Sequence, residues 1–196
     1  ISATFVPRNW GMLLCVAGIL GGVFAGTISD RLFQSRRGPV AVFLYGMMVA
    51  GAALMVFTLD SPSLGWIVVV MSLAIIGVHG MLSGTASMDF GGKQNVGIVV
   101  GIIDGLVYLG QGVQYLTLGH MVPTGGAAAT ASNWSIWPLM MIPASLLGLA
   151  LARREDLLDR SEAERRAILP AGLDAEPAAV LAVAPKLEEL GRRAHG

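Results

Sequence analysis

Four polar side chains recur at helical spacing inside an apolar stretch. Asp104, Tyr108, Gln111 and Tyr115 follow one another at intervals of four, three and four residues, which places them on one face of a helix. An ionisable residue within a membrane helix costs roughly 2.5–3.5 kcal/mol on insertion scales, so it faces a partner or a water-filled cavity. The stripe predicts the wall of a solute pathway. The alternative is a structural network in which Asp104 binds a neighbouring serine or backbone group.

A second polar stripe precedes the first along the chain. Its members are Ser72, His79, Ser83 and Ser87. An imidazole exchanges its proton in the neutral range, so His79 is a candidate for relaying a proton or contacting an anion. The alternative is a histidine that only hydrogen-bonds in the packed bundle. His79 and Ser83 join the first stripe as predicted pathway-lining residues.

Opposite charges gather in two short connections. The first holds Gly26, Asp30, Arg31, Arg36 and Arg37, and the second holds Asp89 and Lys93. These residues predict an ion cluster between helices that closes one side and opens during a conformational cycle. Asp30 is also placed to cap a facing helix, where the dipole favours an anion. The alternative is an arginine cluster that only orients the chain, and it does not explain Asp30.

Five apolar stretches carry these residues. The chain is 54% hydrophobic and 13% charged, whereas soluble domains contain roughly 25% charged residues. Stretches of about 20 apolar residues cross a bilayer as helices, which satisfy their own backbone polar groups. The predicted spans are Trp10–Arg31, Pro39–Leu59, Leu64–Met88, Val96–Met121 and Trp134–Ala152. The sequence therefore predicts an all-α membrane protein with five transmembrane helices in a lipid bilayer.

Lys and Arg are distributed unequally between the two sets of connections. One set holds Arg31, Arg36, Arg37, Lys93, Arg153 and Arg154, and the opposite set, 60–65 and 120–133, holds none. Basic connections lie in the cytoplasm. Residues 1–9 are thus predicted to be an extracytoplasmic lead-in and 10–152 the transmembrane domain. Residues 153–196 are predicted to be a cytoplasmic tail, with a short amphipathic helix over 155–168 followed by a disordered part.

Two glycine ladders predict close helix packing. They are Gly18, Gly22 and Gly26 in the first span, and Gly97, Gly101 and Gly105 in the fourth. Small residues one turn apart let membrane helices approach closely. Ladders three helices apart predict inverted triplets, with one helix before residue 1. Chance placement of common glycines is the alternative. The second and fifth spans are poorer in such ladders and are predicted to face lipid.

The sequence gives no support for several functional classes. The formal net charge is zero, so nucleic acid is not an expected partner. The single cysteine, Cys15, belongs to no metal-binding pattern. The sequence has no Walker loop, GxSxG elbow or HExxH motif. We therefore expect no enzyme activity, no cofactor and no metal.

The first charged connection resembles a signature loop of the major facilitator superfamily. Gly26-x-x-x-Asp30-Arg31, followed by Arg36-Arg37-Gly38, is similar to the copy of that loop between helices eight and nine. The ending Arg-Arg-Gly-Pro is similar to the organophosphate:phosphate antiporter branch. Stretches 81–93 and 101–110 resemble the helix ten to eleven region of the same branch. The resemblance covers about residues 9–154.

The resemblance implies that the five spans are helices eight to twelve of a twelve-helix carrier. The phosphate-binding arginines of the family lie on its first and seventh helices, so none is carried over, and Arg8 does not match them. Gate roles carry over to Asp30 and Arg31. Asp104 departs from the small or polar residue expected at its position.

The resemblance predicts a secondary transporter that exchanges an organic phosphate for inorganic phosphate by alternating access. Its expected partners are this small anionic solute and a missing amino-terminal half of the same carrier. Its expected location is a bacterial inner membrane, with the carboxyl terminus in the cytoplasm. Two alternatives remain: a membrane sensor of sugar phosphates that signals through the 155–168 helix without turnover, and a truncated fragment without activity.

Overall fold

A computed structural model describes residues 4–33 and 36–168, together with the isolated positions Pro185, Glu188 and Arg192. Every regular element in these residues is helical. The elements are α1 (Phe5–Arg8), α2 (Trp10–Leu32), α3 (Gly38–Phe57), α4 (Leu64–Gly80), a π-helical segment (Met81–Ala86), α5 (Ser87–Met121), two 3₁₀ segments (Gly125–Ala129 and Ala131–Ser135) and α6 (Ile136–Ile168). Five of them, α2 to α6, are long and apolar enough to cross a membrane. The predicted all-α membrane architecture is confirmed.

The fourth spanning helix begins earlier than predicted. α5 starts at Ser87 instead of Val96, and it contains one residue with a non-helical backbone, Gly92 (φ 58°, ψ −175°). That backbone conformation is essentially restricted to glycine. A short helical piece before Gly92 therefore meets the long helix at a break. The predicted loop around residues 89–95 is reduced to this break.

The last spanning helix continues into the predicted tail. α6 has 33 residues and ends at Ile168, so the separate helix predicted over 155–168 is a continuation of the span. No Gly or Pro lies between Ala152 and Ile168, and the Leu, Ala, Arg and Glu there favour helix. At roughly 50 Å, α6 is longer than the roughly 30 Å hydrocarbon core. The predicted disordered part of the tail falls outside the continuously described residues.

Four of the spanning helices pack side by side in the order α2, α4, α3 and α6. Between them lies a core in which Val40 and Leu44 of α3 meet Ala74 and Val78 of α4. A second cluster joins Ala52, Met55 and Met71 nearer the other end. The helices are thus held by interlocking small and branched side chains, as expected where lipid gives little hydrophobic drive.

α3 is the most enclosed of the five spanning helices, with 33% of its most apolar window buried. The prediction that the second span faces lipid stays a prediction for its remaining surface. Its neighbours approach at glycines. A Cβ at Gly51 would lie 2.5 Å from Met71 Cγ of α4, and a Cβ at Gly148 of α6 would overlap the ring of Tyr45. α6 likewise packs one face on α3. These contacts occur at single glycines and not along a glycine ladder.

The packed face of α2 is offset from the predicted ladder. Its buried residues are Ala17, Gly21, Ala25 and Ser29. A Cβ at Gly21 would overlap the carbonyl oxygen of Leu73 in α4. The two backbones therefore touch directly. Ala17, Gly21 and Ala25, which allow this contact, each precede one of the predicted ladder glycines by one residue.

The predicted ladders are mostly uncovered in the described part of the chain. Gly18 alone among them has a close neighbour, because a Cβ there would lie 3.1 Å from Ile76 Cδ1. The remaining ladder positions have nothing within 4 Å of an added Cβ: Gly22, Gly26, Gly97, Gly101 and Gly105. Their packing against helices outside this chain stays a prediction.

α5 stands apart from the four packed helices. Its main contacts are with the π segment before it, and none of the residues in its most apolar 18-residue window is buried. Both the polar stripe and the glycine ladder of α5 are consequently exposed in the described structure. An apolar helix with no packed face is expected to have lipid or further helices around it.

The four tryptophans of the chain lie at one end of the bundle. Trp10 begins α2, Trp66 lies in the first turn of α4, and Trp134 and Trp137 flank the start of α6. The Phe5 ring stacks on Trp66 with centroids 5.9 Å apart, and Trp10 and Trp137 line one cavity of about 600 Å³. Tryptophan is enriched at membrane–water interfaces. This end is therefore expected to lie at a membrane–water interface, on the side opposite the arginine-rich connections.

Candidate functional site

Members of the two polar stripes meet around Asp104. Ser83 Oγ donates a hydrogen bond to Asp104 Oδ1 at 2.6 Å, and His79 Nε2 lies 4.0 Å from the same oxygen. A length of 2.6 Å lies within the usual range of O–H···O hydrogen bonds. We call these three residues the Asp104 cluster. Asp104 thus has the serine partner that the hydrogen-bond alternative expected, and its pathway role stays a prediction.

The π segment positions Ser83 beside α5. Its wider turns are rare and occur frequently at functional sites. Ser87 Oγ donates to the carbonyl oxygen of Leu82, five residues earlier, at 2.9 Å. In α4, Ser72 Oγ donates to the Val68 carbonyl oxygen at 2.8 Å. These two serines are satisfied within their own stretch of chain, whereas Ser83 bonds Asp104 of α5.

The Asp104 cluster is open to one side. The side chains of Asp104 and His79 are 32% and 39% exposed, although both lie within helices that are apolar enough to span a membrane. A half-buried carboxylate beside an imidazole and a hydroxyl can exchange a proton or bind a polar group from that open side. The arrangement offers polar contacts to a solute.

The rest of the α5 stripe extends from the cluster toward the tryptophan end. Gln111 Nε2 donates to Tyr115 Oη at 2.8 Å, and the Tyr108 and Tyr115 side chains are both exposed. The predicted stripe is therefore a continuous polar surface with donors and acceptors. In the described residues it faces away from the packed bundle.

Arg37 organises the second site, at the arginine-rich end. Its Nη1 donates to Asp30 Oδ1 at 3.3 Å and to Ser29 Oγ at 2.9 Å, and its Nε donates to Asp89 Oδ2 at 3.4 Å. The guanidinium thus joins the end of α2 to the start of α5. We call these four residues the Arg37 cluster. It unites Asp30, Arg37 and Asp89 of the predicted charge cluster.

Ser29 was missed by sequence reasoning. Its side chain is fully buried, and its hydroxyl donates to the Arg36 carbonyl oxygen at 3.2 Å while accepting from Arg37. The signal was present, because Ser29 continues the four-residue spacing of Ala17, Gly21 and Ala25. A hydroxyl at the end of that packed row can hold Arg36 and Arg37 against the end of α2.

The other residues of the predicted gate lie outside this network. Arg31 and Lys93 are exposed, and neither forms an ion pair within the part of the chain that the structure describes. Arg36 borders a cavity of about 420 Å³ next to Asp159 and Glu162 of α6. The gate roles of Gly26, Arg31, Arg36 and Lys93 stay predictions.

Replacing Arg37 should loosen the start of α5. Exposed ion pairs contribute about 0–1 kcal/mol each, so losing the contacts to Asp30 and Asp89 should cost up to about 2 kcal/mol in total. Hydrogen exchange of the amides in 87–92 should then accelerate by up to roughly thirtyfold in Arg37→Gln. Arg154→Gln removes the same charge from an exposed site on α6 and is the control. Equal exchange in both variants would contradict a linking role.

In the described residues, no group of three His, Cys, Asp or Glu side chains is placed to hold a metal ion. The Asp104 cluster supplies one carboxylate and one imidazole, fewer ligands than metal ions take in proteins.

Comparison with known proteins gives one informative similarity. No family model matches the chain, and no solved structure matches it. The chain is 35% identical over 114 residues to the glycerol-3-phosphate transporter of Bacillus subtilis (strain 168), a match that covers 54% of this chain and 25% of the transporter. The chain spans about a quarter of that relative. Together with five helices of membrane-spanning length, the similarity supports an integral membrane protein.

Proposed function

We propose that this chain is part of a secondary transporter that exchanges an organic phosphate for inorganic phosphate by alternating access. The observation that carries the proposal is the Asp104 cluster, which sits within membrane-length helices and continues into an exposed polar stripe. The similarity to a glycerol-3-phosphate transporter supplies the solute class. A polar surface on an otherwise apolar helix is expected to line a pathway, because lipid would penalise it.

The pathway needs a second wall. α5 exposes its polar stripe and its open glycine ladder at Gly97, Gly101 and Gly105, and the chain spans a quarter of its relative. We infer that an amino-terminal half of the same carrier covers this face. By the resemblance, α2 to α6 are helices eight to twelve, and the arginines that bind the phosphate group come from helices one and seven, which are not among these five.

The Arg37 cluster serves as a gate in this proposal. It closes the arginine-rich end by tying the α2–α3 connection to the start of α5. The positive-inside rule and the tryptophan belt together support a cytoplasmic location for that end and for the carboxyl terminus. Asp30 and Asp89 are more than half exposed, so these ion pairs are weak enough to break within a transport cycle.

Counterflow tests the proposal. Proteoliposomes with the protein expressed from its complete gene are loaded with inorganic phosphate and receive labelled glycerol 3-phosphate or glucose 6-phosphate outside. We expect uptake that requires internal phosphate and falls at least about tenfold in Asp104→Leu, which removes the hydrogen bond and the polarity of the cluster. Leu109→Ala, off the polar stripe of α5, is the control.

Each outcome separates the alternatives. Uptake that depends on phosphate supports the antiporter, and full activity of Asp104→Leu would remove the cluster from the pathway. Binding without uptake, combined with a signalling defect when 155–196 are deleted, would favour a sensor. Uptake by the 196-residue chain alone would contradict the need for a covering half.

A further inference from the structure

The Asp104 carboxylate and the proposed solute both carry negative charge. An ionised carboxylate on the pathway wall repels a phosphate anion, and the repulsion is strong where water is scarce. The hydrogen bond from Ser83 holds the carboxylate on the wall. The anion can pass without this repulsion when Asp104 carries a proton.

The surroundings of Asp104 make His79 its titratable neighbour. The π segment contains no titratable residue, and His79 is the titratable residue of α4. On α5, Tyr108 lies one turn away, and the nearest charged residue in sequence, Lys93, precedes Asp104 by about three turns. The Arg37 cluster lies at the start of α5. The imidazole, 4.0 Å from Asp104 Oδ1, is therefore placed to deliver a proton to the carboxylate or to receive one.

Resting on the proposed function, we propose that the Asp104 cluster is a proton-binding site, and that it binds one proton together with each phosphate-bearing anion. The proton comes from water on the open side of the cluster, through His79 or directly. It forms the O–H bond of the Asp104 carboxyl group and returns to water when the anion leaves. Linkage is reciprocal, so anion affinity falls by up to about tenfold per pH unit once the free site is deprotonated.

Asp104→Asn is the decisive variant because it keeps the shape and stays uncharged. The phosphate group of the solute also titrates near neutrality, so the pH dependence of the wild type alone would be ambiguous. In weakly buffered solution, we expect the wild type to take up about one more proton per bound glycerol 3-phosphate than Asp104→Asn at the same pH. Equal proton uptake by the two proteins overturns the proposal.

An infrared titration separates this inference from the proposed function. The unliganded protein should show a protonated-carboxyl band that disappears as the pH rises and is missing in Asp104→Asn, and His79→Gln should change the pH dependence of this band. If no phosphate compound is bound or exchanged but this band is present, the proposed function fails and the proton site stands. If exchange occurs and the band is missing at every pH, the proton site fails and the exchanger stands.

Discussion

Gly21→Ala should lower the melting temperature of the protein, whereas Gly22→Ala should leave it unchanged or raise it. An added Cβ at Gly21 would overlap the Leu73 carbonyl oxygen and lie 3.1 Å from the Gly77 nitrogen. Both neighbours are backbone atoms of α4, so the helices must separate. Overpacking of this kind costs roughly 1–3 kcal/mol, and each kcal/mol corresponds to roughly 2–4 °C in a chain of this length.

Gly22 provides the matched control because it lies on the same helix and has nothing within 4 Å of an added Cβ. Alanine favours helix over glycine by about 1 kcal/mol, so this substitution should not destabilise α2. Unfolding in mild detergent, followed by size-exclusion chromatography after heating, measures both variants. Equal melting temperatures would contradict direct backbone contact between α2 and α4.

The architecture was predictable from hydropathy, whereas the packing partners were not. Stretches of about 20 apolar residues determine spanning helices almost alone, since lipid permits few other structures. α3 is apolar all round, and that pattern suits a lipid-facing helix and a buried one equally. Gly51 and Gly148 mark where α3 packs on its neighbours, because each admits a side chain from the facing helix, Met71 and Tyr45 respectively. Isolated glycines carry no pattern from which such a partner can be identified.

The sequence predicted the members of the Asp104 cluster but not the contact between them. Helical spacing found the Asp104 stripe and the stripe of His79 and Ser83 separately, because periodicity reports faces within one helix. Their meeting depends on the π segment and the Gly92 break, which set the relation of α4 to α5. Neither is visible in hydropathy. Arg37 illustrates the same limit: its charge was evident, yet its partners Ser29 and Asp89 depend on how three stretches of chain meet.

Gly92→Ala should disrupt the junction between the π segment and α5. The backbone at Gly92 (φ 58°, ψ −175°) is a conformation that a Cβ makes costly by about 1–3 kcal/mol. The variant relieves this strain if the break straightens into continuous helix. The short piece that carries Asp89 would then rotate away from Arg37, and Ser83 would lose its position beside Asp104. We expect loss of both clusters and a strong fall in any transport.

Spin labels on either side of the break would measure this change directly. With Cys15 replaced by serine, cysteines at the exposed positions Met88 and Leu109 carry the labels. The break shortens their separation, and in Gly92→Ala the separation should lengthen toward the roughly 31 Å of an unbroken 21-residue rise. Gly119→Ala makes the same substitution on the same helix, at a position where an added Cβ meets nothing within 4 Å, and should leave the separation unchanged. An unaltered distance in Gly92→Ala would mean that the break is imposed by the surrounding contacts and not by glycine.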